Sequence, residues 1–120
     1  MTKALNWRAL NLKALCYIPI LLATIGFGSL AQAEAIWIDV RSIAEHKNDH
    51  IEDDIRITHV NIVEQVNLFY PHKTTEIRLY CRSGGRAGKA MSALEEAGYT
   101  NVTNVGGIED ARKERGLIQQ

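Results

Sequence analysis

One segment of the sequence combines a nucleophile with groups that bind anions, namely Cys81-Arg82-Ser83-Gly84-Gly85-Arg86. The thiolate is the reactive form of cysteine, and neighbouring cations lower the pKa of a thiol. Adjacent glycines allow the positive φ angles with which successive backbone N–H groups turn toward an anion. The segment therefore predicts a reactive thiolate at Cys81. The residues expected to bind the anionic substrate around it are Arg82, Ser83, Gly84, Gly85 and Arg86.

The surrounding pattern places Cys81 at the end of a strand and in front of a helix. Residues 76–81 alternate polar and apolar side chains, which is typical of a strand. Apolar residues then recur at helical spacing from Ala87 to Ala97, and Gly98 ends the helix. Ligands of open α/β sheets bind at the carboxyl ends of the strands, and a helix N-terminus carries about half a positive charge. Cys81 therefore occupies the position of an active-site residue.

The rest of the chain also alternates between strands and helices. Further strands are predicted at residues 35–40, 58–62 and 101–105, and further helices at residues 43–48, 63–70 and 108–115. Ser42 is placed to cap the first of these helices, and Gly106-Gly107 to form a turn before the last. This order predicts an α/β domain of three layers, in which a mostly parallel sheet has helices on both faces.

The first 33 residues have the three parts of a secretory signal peptide. These parts are the basic residues Lys3, Arg8 and Lys13, the uncharged residues 14–30, and the exit sequence Ala31-Gln32-Ala33. As a helix, the uncharged part would rise only about 26 Å, which is less than the roughly 30 Å of a hydrocarbon core. We therefore expect a signal peptide at 1–33, one domain at 34–120, a periplasmic location and no membrane insertion after cleavage.

Charge and cysteine content must then be counted on residues 34–120. That part holds all 14 acidic residues but only 11 of the 14 basic ones, so its net charge is −3. This charge does not favour nucleic acid as a partner. Cys16 leaves with the signal peptide, and Cys81 then has no partner in its own chain. Exported proteins normally pair their cysteines, so the single thiol is either a small buried apolar residue or a reactive group, and its loop favours the second.

At these residues the sequence resembles the single-domain rhodaneses, which are thiosulfate sulfurtransferases. The segment from Cys81 to Arg86 is similar to their C-R-S-G-x-R active-site loop. Trp37-Ile38-Asp39-Val40-Arg41 resembles their early D-V-R strand, and Val105-Gly106-Gly107 resembles their later G-G segment. The exported length is similar to that of the small periplasmic phage-shock type. Residues 50–62 and Ala111 depart from the usual family pattern.

The resemblance implies a sulfur relay in two steps. The Cys81 thiolate would attack the outer sulfur of thiosulfate, release sulfite and hold a persulfide, which cyanide or a thiol then removes. It implies no cofactor, and it gives Asp39 and Arg41 a role in supporting the loop. The spacing of the four histidines matches no metal-ligand motif, so we expect no metal. The partners expected are thiosulfate and a thiol acceptor, such as a periplasmic thiol protein, and the chain is expected to be a monomer.

Two other functions use a similar loop. Cysteine phosphatases and arsenate reductases place five residues between cysteine and arginine, whereas four lie between Cys81 and Arg86. A non-catalytic persulfide carrier is the other alternative. The role of Arg86 is also open at this point, because it either binds the substrate anion or pairs with a carboxylate such as Asp39 to hold the loop.

Overall fold

The computed structural model describes residues 34–117, in which strands and helices alternate. The strands are β1 (Ile36–Asp39), β2 (Ile55–Arg56), β3 (Ile77–Cys81) and β4 (Val102–Gly107). The helices are α1 (Ile43–Asn48), α2 (Ile62–Phe69), α3 (Gly85–Glu96) and α4 (Ile108–Glu114). None of the helices within 34–117 is long and apolar enough to cross a membrane. The signal peptide predicted at 1–33, including Cys16, lies outside the described residues.

The four strands form one sheet in the order β2-β1-β3-β4, and every neighbouring pair is parallel. Parallel neighbours need crossover connections, and the helices between the strands provide them. The carboxyl ends of all four strands therefore lie at the same edge of the sheet. The α/β prediction is confirmed, and Cys81 ends the strand β3 in the middle of that edge.

Alternation along the strands divides the buried side chains between two faces of the sheet. Ile38, Leu79 and Cys81 belong to the larger apolar core, which includes buried residues of α2 and α3. Tyr80 points to the other face and packs with Ile108 and Ala111 of α4. Helices thus cover both faces, as predicted, and Cys81 lies on the face that α3 covers.

The prediction of a strand at residues 58–62 is wrong, because β2 lies earlier in the chain. Only Ile55 and Arg56 pair with β1, and the next residue, Ile57, donates its backbone N–H to the carbonyl of Asp39 at 3.0 Å. The chain then turns, and Val60 is 79% exposed. The β-branched residues of this segment therefore do not form a strand of the sheet.

Charged residues precede β2, and one of them, Asp54, contacts distant parts of the chain. The side chain of Asp54 is buried, and it accepts hydrogen bonds from the Tyr80 hydroxyl at 2.6 Å and from Arg115 at 2.7 Å. Burial and the bond to Asp54 raise the pKa of Tyr80, so its hydroxyl stays protonated and can donate. A carboxylate that reads as a solvated loop residue is therefore a partner of groups 26 and 61 residues away.

Candidate active site

Cys81 is a buried free cysteine at the end of β3, with 1% of its surface exposed. The backbone N–H of Gly84 donates a hydrogen bond to its Sγ at 2.9 Å. Burial by itself would raise the pKa of the Cys81 thiol, but the backbone N–H groups around the sulfur outweigh this effect, and the pKa is lowered. The N–H groups with this effect belong to Ala87, Ser83, Gly84 and Arg86. The loop and the first turn of α3 thus stabilise a thiolate.

Only one of the two adjacent glycines has the conformation expected of both. Gly84 has a φ of +102°, and a Cβ atom there would lie 3.4 Å from the Cα of Gly106. Gly85 is the first residue of α3, and a Cβ atom there would meet nothing within 4 Å. The expectation of a positive φ at Gly85 is therefore wrong, because the helix begins two residues before Ala87, where the apolar pattern begins.

The loop rests on the end of β4, where glycines allow the two backbones to approach closely. A Cβ atom at Gly107 would overlap the carbonyl oxygen of Arg82. Gly106 has a φ of +110°, and Gly107 precedes the first residue of α4. Gly106 and Gly107, which were predicted to form a turn, are therefore the last two residues of β4. The Cys81 loop packs against them through the backbone of Arg82.

Asn104 of β4 bonds to both sides of this contact. Its Nδ2 donates to the carbonyl of Gly84 at 3.0 Å, and its Oδ1 accepts from the N–H of Gly106 at 3.0 Å. The sequence motifs described above do not include Asn104. The available signal was an asparagine two residues before a glycine, which is the spacing of an Asx turn.

Arg86 forms a bidentate ion pair with Glu45 of α1. Its two terminal nitrogens donate to Oε1 at 2.6 Å and to Oε2 at 2.9 Å. The hydrogen bond from Arg86 lowers the pKa of Glu45 to about 2. Glu45 also belongs to the capping box of α1, in which its backbone N–H donates to Ser42 Oγ. The carboxylate partner of Arg86 is therefore Glu45 and not Asp39, and Ser42-x-x-Glu45 was the signal that could have indicated it.

Asp39 pairs instead with Arg41, and both side chains are buried. The Arg41 guanidinium donates to both carboxylate oxygens, and its Nη2 also donates to the carbonyl of Asp49 at 2.6 Å. The hydrogen bond to Asp39 raises the pKa of Arg41. Within residues 34–117, the hydrogen bonds of these two side chains run to β1 and to Asp49 and not to the Cys81 loop. Their support of the loop stays a prediction.

Arg82 and Ser83 are exposed at the start of the loop. Among the residues that the structure describes, Arg82 forms no salt bridge. The two arginines of the loop therefore differ, because Glu45 offsets the charge of Arg86 while the charge of Arg82 faces solvent.

The histidines do not gather around a common point. His46 and His50 stack with their ring centroids 4.3 Å apart. In the described part of the chain, no three side chains of His, Cys, Asp or Glu lie close enough together to hold a metal ion. The expectation that no metal takes part stays a prediction.

This fold defines an α/β domain that presents one cysteine, surrounded by backbone N–H groups, at the carboxyl edge of a parallel sheet. Residues 28–114 match the family model described as Rhodanese-like domain. The chain belongs to the rhodanese family, which confirms the resemblance noted in the sequence.

Proteins of similar sequence and structure support this assignment. The chain is 35% identical over 74 residues to the thiosulfate sulfurtransferase PspE of Escherichia coli (strain K12), covering 62% of this chain and 71% of that protein. A solved structure described as a rhodanese with anions from E. coli is 33% identical, with a TM-score of 0.58, covering 64% of this chain and 91% of that one. A rhodanese-like domain protein from Staphylococcus aureus is 27% identical, with a TM-score of 0.57, covering 68% and 78%. Together they support sulfurtransferase activity in the broad sense.

A tRNA uridine(34) hydroxylase of Enterobacter sp. (strain 638) is also similar. It is 32% identical over 92 residues, which are 72% of this chain but only 26% of that protein. This chain therefore spans about a quarter of the hydroxylase.

Proposed function

We propose that the protein transfers the outer sulfur of thiosulfate to a thiophilic acceptor through a persulfide on Cys81. In the first step the Cys81 thiolate forms a bond to the outer sulfur of thiosulfate, the sulfur–sulfur bond of thiosulfate breaks, and sulfite leaves with the bonding electron pair. In the second step cyanide or a thiolate attacks the outer persulfide sulfur and restores the Cys81 thiolate. Total charge is conserved in each step, and neither step requires an external oxidant or reductant.

The observation that carries this proposal is the hydrogen bond from the backbone N–H of Gly84 to Cys81 Sγ, with the two heavy atoms 2.9 Å apart. The nearby backbone N–H groups of Ala87, Ser83 and Arg86 also lower the pKa of the thiol. An anion held by fixed donors in a buried site needs no reorganisation of solvent when it reacts. The same donors would stabilise the negative charge of the persulfide after the first step.

The two loop arginines would contribute in different ways. The exposed Arg82 has charge available to attract the thiosulfate dianion and the sulfite that leaves. Arg86 is held by Glu45, but the negative charge of Cys81 also raises the pKa of Arg86, after the larger effect of Glu45. Arg86 therefore both closes the loop and stabilises the thiolate.

The proposed location rests on the leader sequence, and the proposed acceptor is a thiol available in that compartment. Residues 1–33 have the form of a signal peptide, and we place the protein in the periplasm with a thiol, such as that of a periplasmic protein, as the acceptor. The similarity to the thiosulfate sulfurtransferase PspE supports thiosulfate as the donor.

The test is the intact mass of the purified protein with and without thiosulfate. Wild type should gain the mass of one sulfur atom, and cyanide should remove it and yield thiocyanate. Cys81→Ser should show neither result, since a hydroxyl is a much poorer nucleophile and cannot form a persulfide. Sulfur transfer by Cys81→Ser would contradict the proposal. Hydrolysis of aryl phosphates at a rate matching sulfur transfer would favour the phosphatase alternative, and loading without turnover would favour a persulfide carrier.

A further inference from the structure

The side-chain amide of Asn104 has both of its ends occupied. Asn104 lies on β4 opposite Leu79, on the face of the sheet that α3 covers, and it is half-buried. Its Oδ1 accepts the N–H of Gly106, and its Nδ2 donates to the carbonyl of Gly84, each at 3.0 Å. An N–H and a carbonyl need opposite ends of the amide. The two partners therefore fix the orientation of the side chain.

The turn closed by the hydrogen bond between Asn104 and the N–H of Gly106 would not by itself require an amide side chain. Aspartate or serine can also accept the N–H of a residue two positions later. Asparagine differs because it adds a donor, and here that donor reaches across to the Cys81 loop, 20 residues away in sequence. The side chain is therefore suited to joining β4 to the loop.

The residue that Asn104 holds is the one bonded to the sulfur. The carbonyl of Gly84 accepts from Asn104 and also from the N–H of Gly88 at 2.9 Å, so both of its lone pairs are used. The N–H of Gly84 donates to Cys81 Sγ. With its polar groups fixed on both sides, Gly84 is held at its positive φ, and its N–H is held on the sulfur.

We propose that Asn104 is a positioning residue, which holds the Gly84 backbone so that its N–H stays directed at Cys81 Sγ and keeps the sulfur in its reactive form. The inference rests on the proposed role of Cys81 as the nucleophile. Asn104 itself touches neither the sulfur nor a substrate; it acts through Gly84.

Three variants test this role. Asn104→Ala removes both bonds, while Asn104→Ser keeps an acceptor for the N–H of Gly106 but is too short to reach Gly84. Thr103→Ala is the matched control, because Thr103 is the exposed neighbour on the same strand. For each variant, the thiol pKa is read from the pH dependence of alkylation by iodoacetamide, and the melting temperature is measured alongside it.

We expect the thiol pKa to rise by about one unit in both Asn104 variants, so that alkylation below the wild-type pKa slows about tenfold. Thr103→Ala should match wild type. Other charged groups near the sulfur are unchanged in these variants, since Arg86 keeps its bond to Glu45 and Asp39 keeps its bond to Arg41.

If Asn104 serves only its own turn, the serine variant should recover the wild-type thiol pKa, and that result would overturn the proposal. A lower melting temperature with an unchanged thiol pKa in either variant would do the same. Asn104→Ser decides the question if the alanine variant does not fold. The measurement needs no sulfur donor, so a wild-type protein that takes no sulfur from thiosulfate would refute the proposed function and leave this test intact.

Discussion

The ion pair between Arg86 and Glu45 connects the Cys81 loop to α1, and removing either charge should show what the connection contributes. Glu45→Gln is the more informative single change. Glutamine can also serve in a capping box, so the start of α1 keeps its hydrogen bonds while the ion pair loses its negative charge. Glu64→Gln is the matched control, because Glu64 is also the third residue of a helix but forms no salt bridge within residues 34–117.

The size of the effect follows from the pKa of Glu45. A fall from 4.5 to about 2 corresponds to about 3 kcal/mol, at about 1.4 kcal/mol for each pH unit. Arg86 is the largest cause of this fall, but hydrogen bonds with Ser42 add to it, and glutamine would keep those. The side chains of Arg86 and Glu45 are 31% and 30% exposed, so with solvent screening the ion pair itself should contribute about 1–2 kcal/mol. For a domain of this size, a loss of that order lowers the melting temperature by about 4 to 16 °C.

The pH dependence of this loss has a defined sign. Because the folded state lowers the pKa of Glu45, the pair stabilises the protein fully above about pH 4.5 and loses its effect as the pH falls toward about 2. The melting temperatures of wild type and Glu45→Gln should therefore differ at neutral pH and converge in acid. Glu64→Gln should follow wild type at every pH.

A double-mutant cycle with Arg86→Ala completes the test. Since each single variant removes the same pair, the double variant should be destabilised little more than the less stable single variant. Additive losses would show that the two side chains do not stabilise each other, and a wild-type melting temperature in both single variants would refute the reasoning. The kinetics test a second role of Arg86, since in the proposed function it also stabilises the Cys81 thiolate. Arg86→Ala should lower kcat/KM for thiosulfate roughly 10- to 150-fold, and Glu45→Gln should lower it much less.

Two further predictions concern the loop and the leader. Gly84→Ala should destabilise the domain by about 1 to 3 kcal/mol and slow sulfur loading, because alanine is strained at a φ of +102°, whereas Gly85→Ala should be neutral or slightly stabilising at an open helical position. Equal melting temperatures and equal loading rates for the two variants would contradict this difference. A periplasmic extract should yield a protein that begins at Glu34, as read by N-terminal sequencing. Recovery of only the full-length chain in the membrane fraction would refute export.

The parts of the site that were predictable from the sequence are those formed by residues close together in the chain. Cys81, Gly84 and the helix that follows lie within one strand-loop-helix unit, and their types and spacing were enough to place a thiol among backbone N–H groups. The capping box of α1 is predictable in the same way, although only its Ser42 cap is predicted above and its second member, Glu45, is not. Local patterns therefore predict the chemical groups of the Cys81 loop and the order of most helices and strands.

The remaining contacts join residues that the sequence separates widely. Glu45 and Arg86 are 41 positions apart, and Asn104 and Gly84 are 20 apart. No residue near Arg86 in the sequence indicates whether its partner is Glu45 or Asp39, because both carboxylates lie in the same part of the chain. Their assignment depends on the parallel pairing of β1 with β3, which places α1 beside the loop while Asp39 bonds to Arg41 two residues away.

These distant contacts hold the Cys81 loop in one conformation, because its backbone N–H groups would not keep their geometry by themselves. A loop with a glycine at positive φ has many competing conformations in isolation, and fixing one of them costs about 1–2 kcal/mol per residue. Here Glu45 holds the loop through Arg86, Asn104 holds it through Gly84, and Gly107 allows β4 to approach Arg82. Each support comes from a different element, so the lowered pKa of Cys81 is a property of the assembled sheet. A peptide containing only residues 76–97 should therefore titrate like an ordinary thiol.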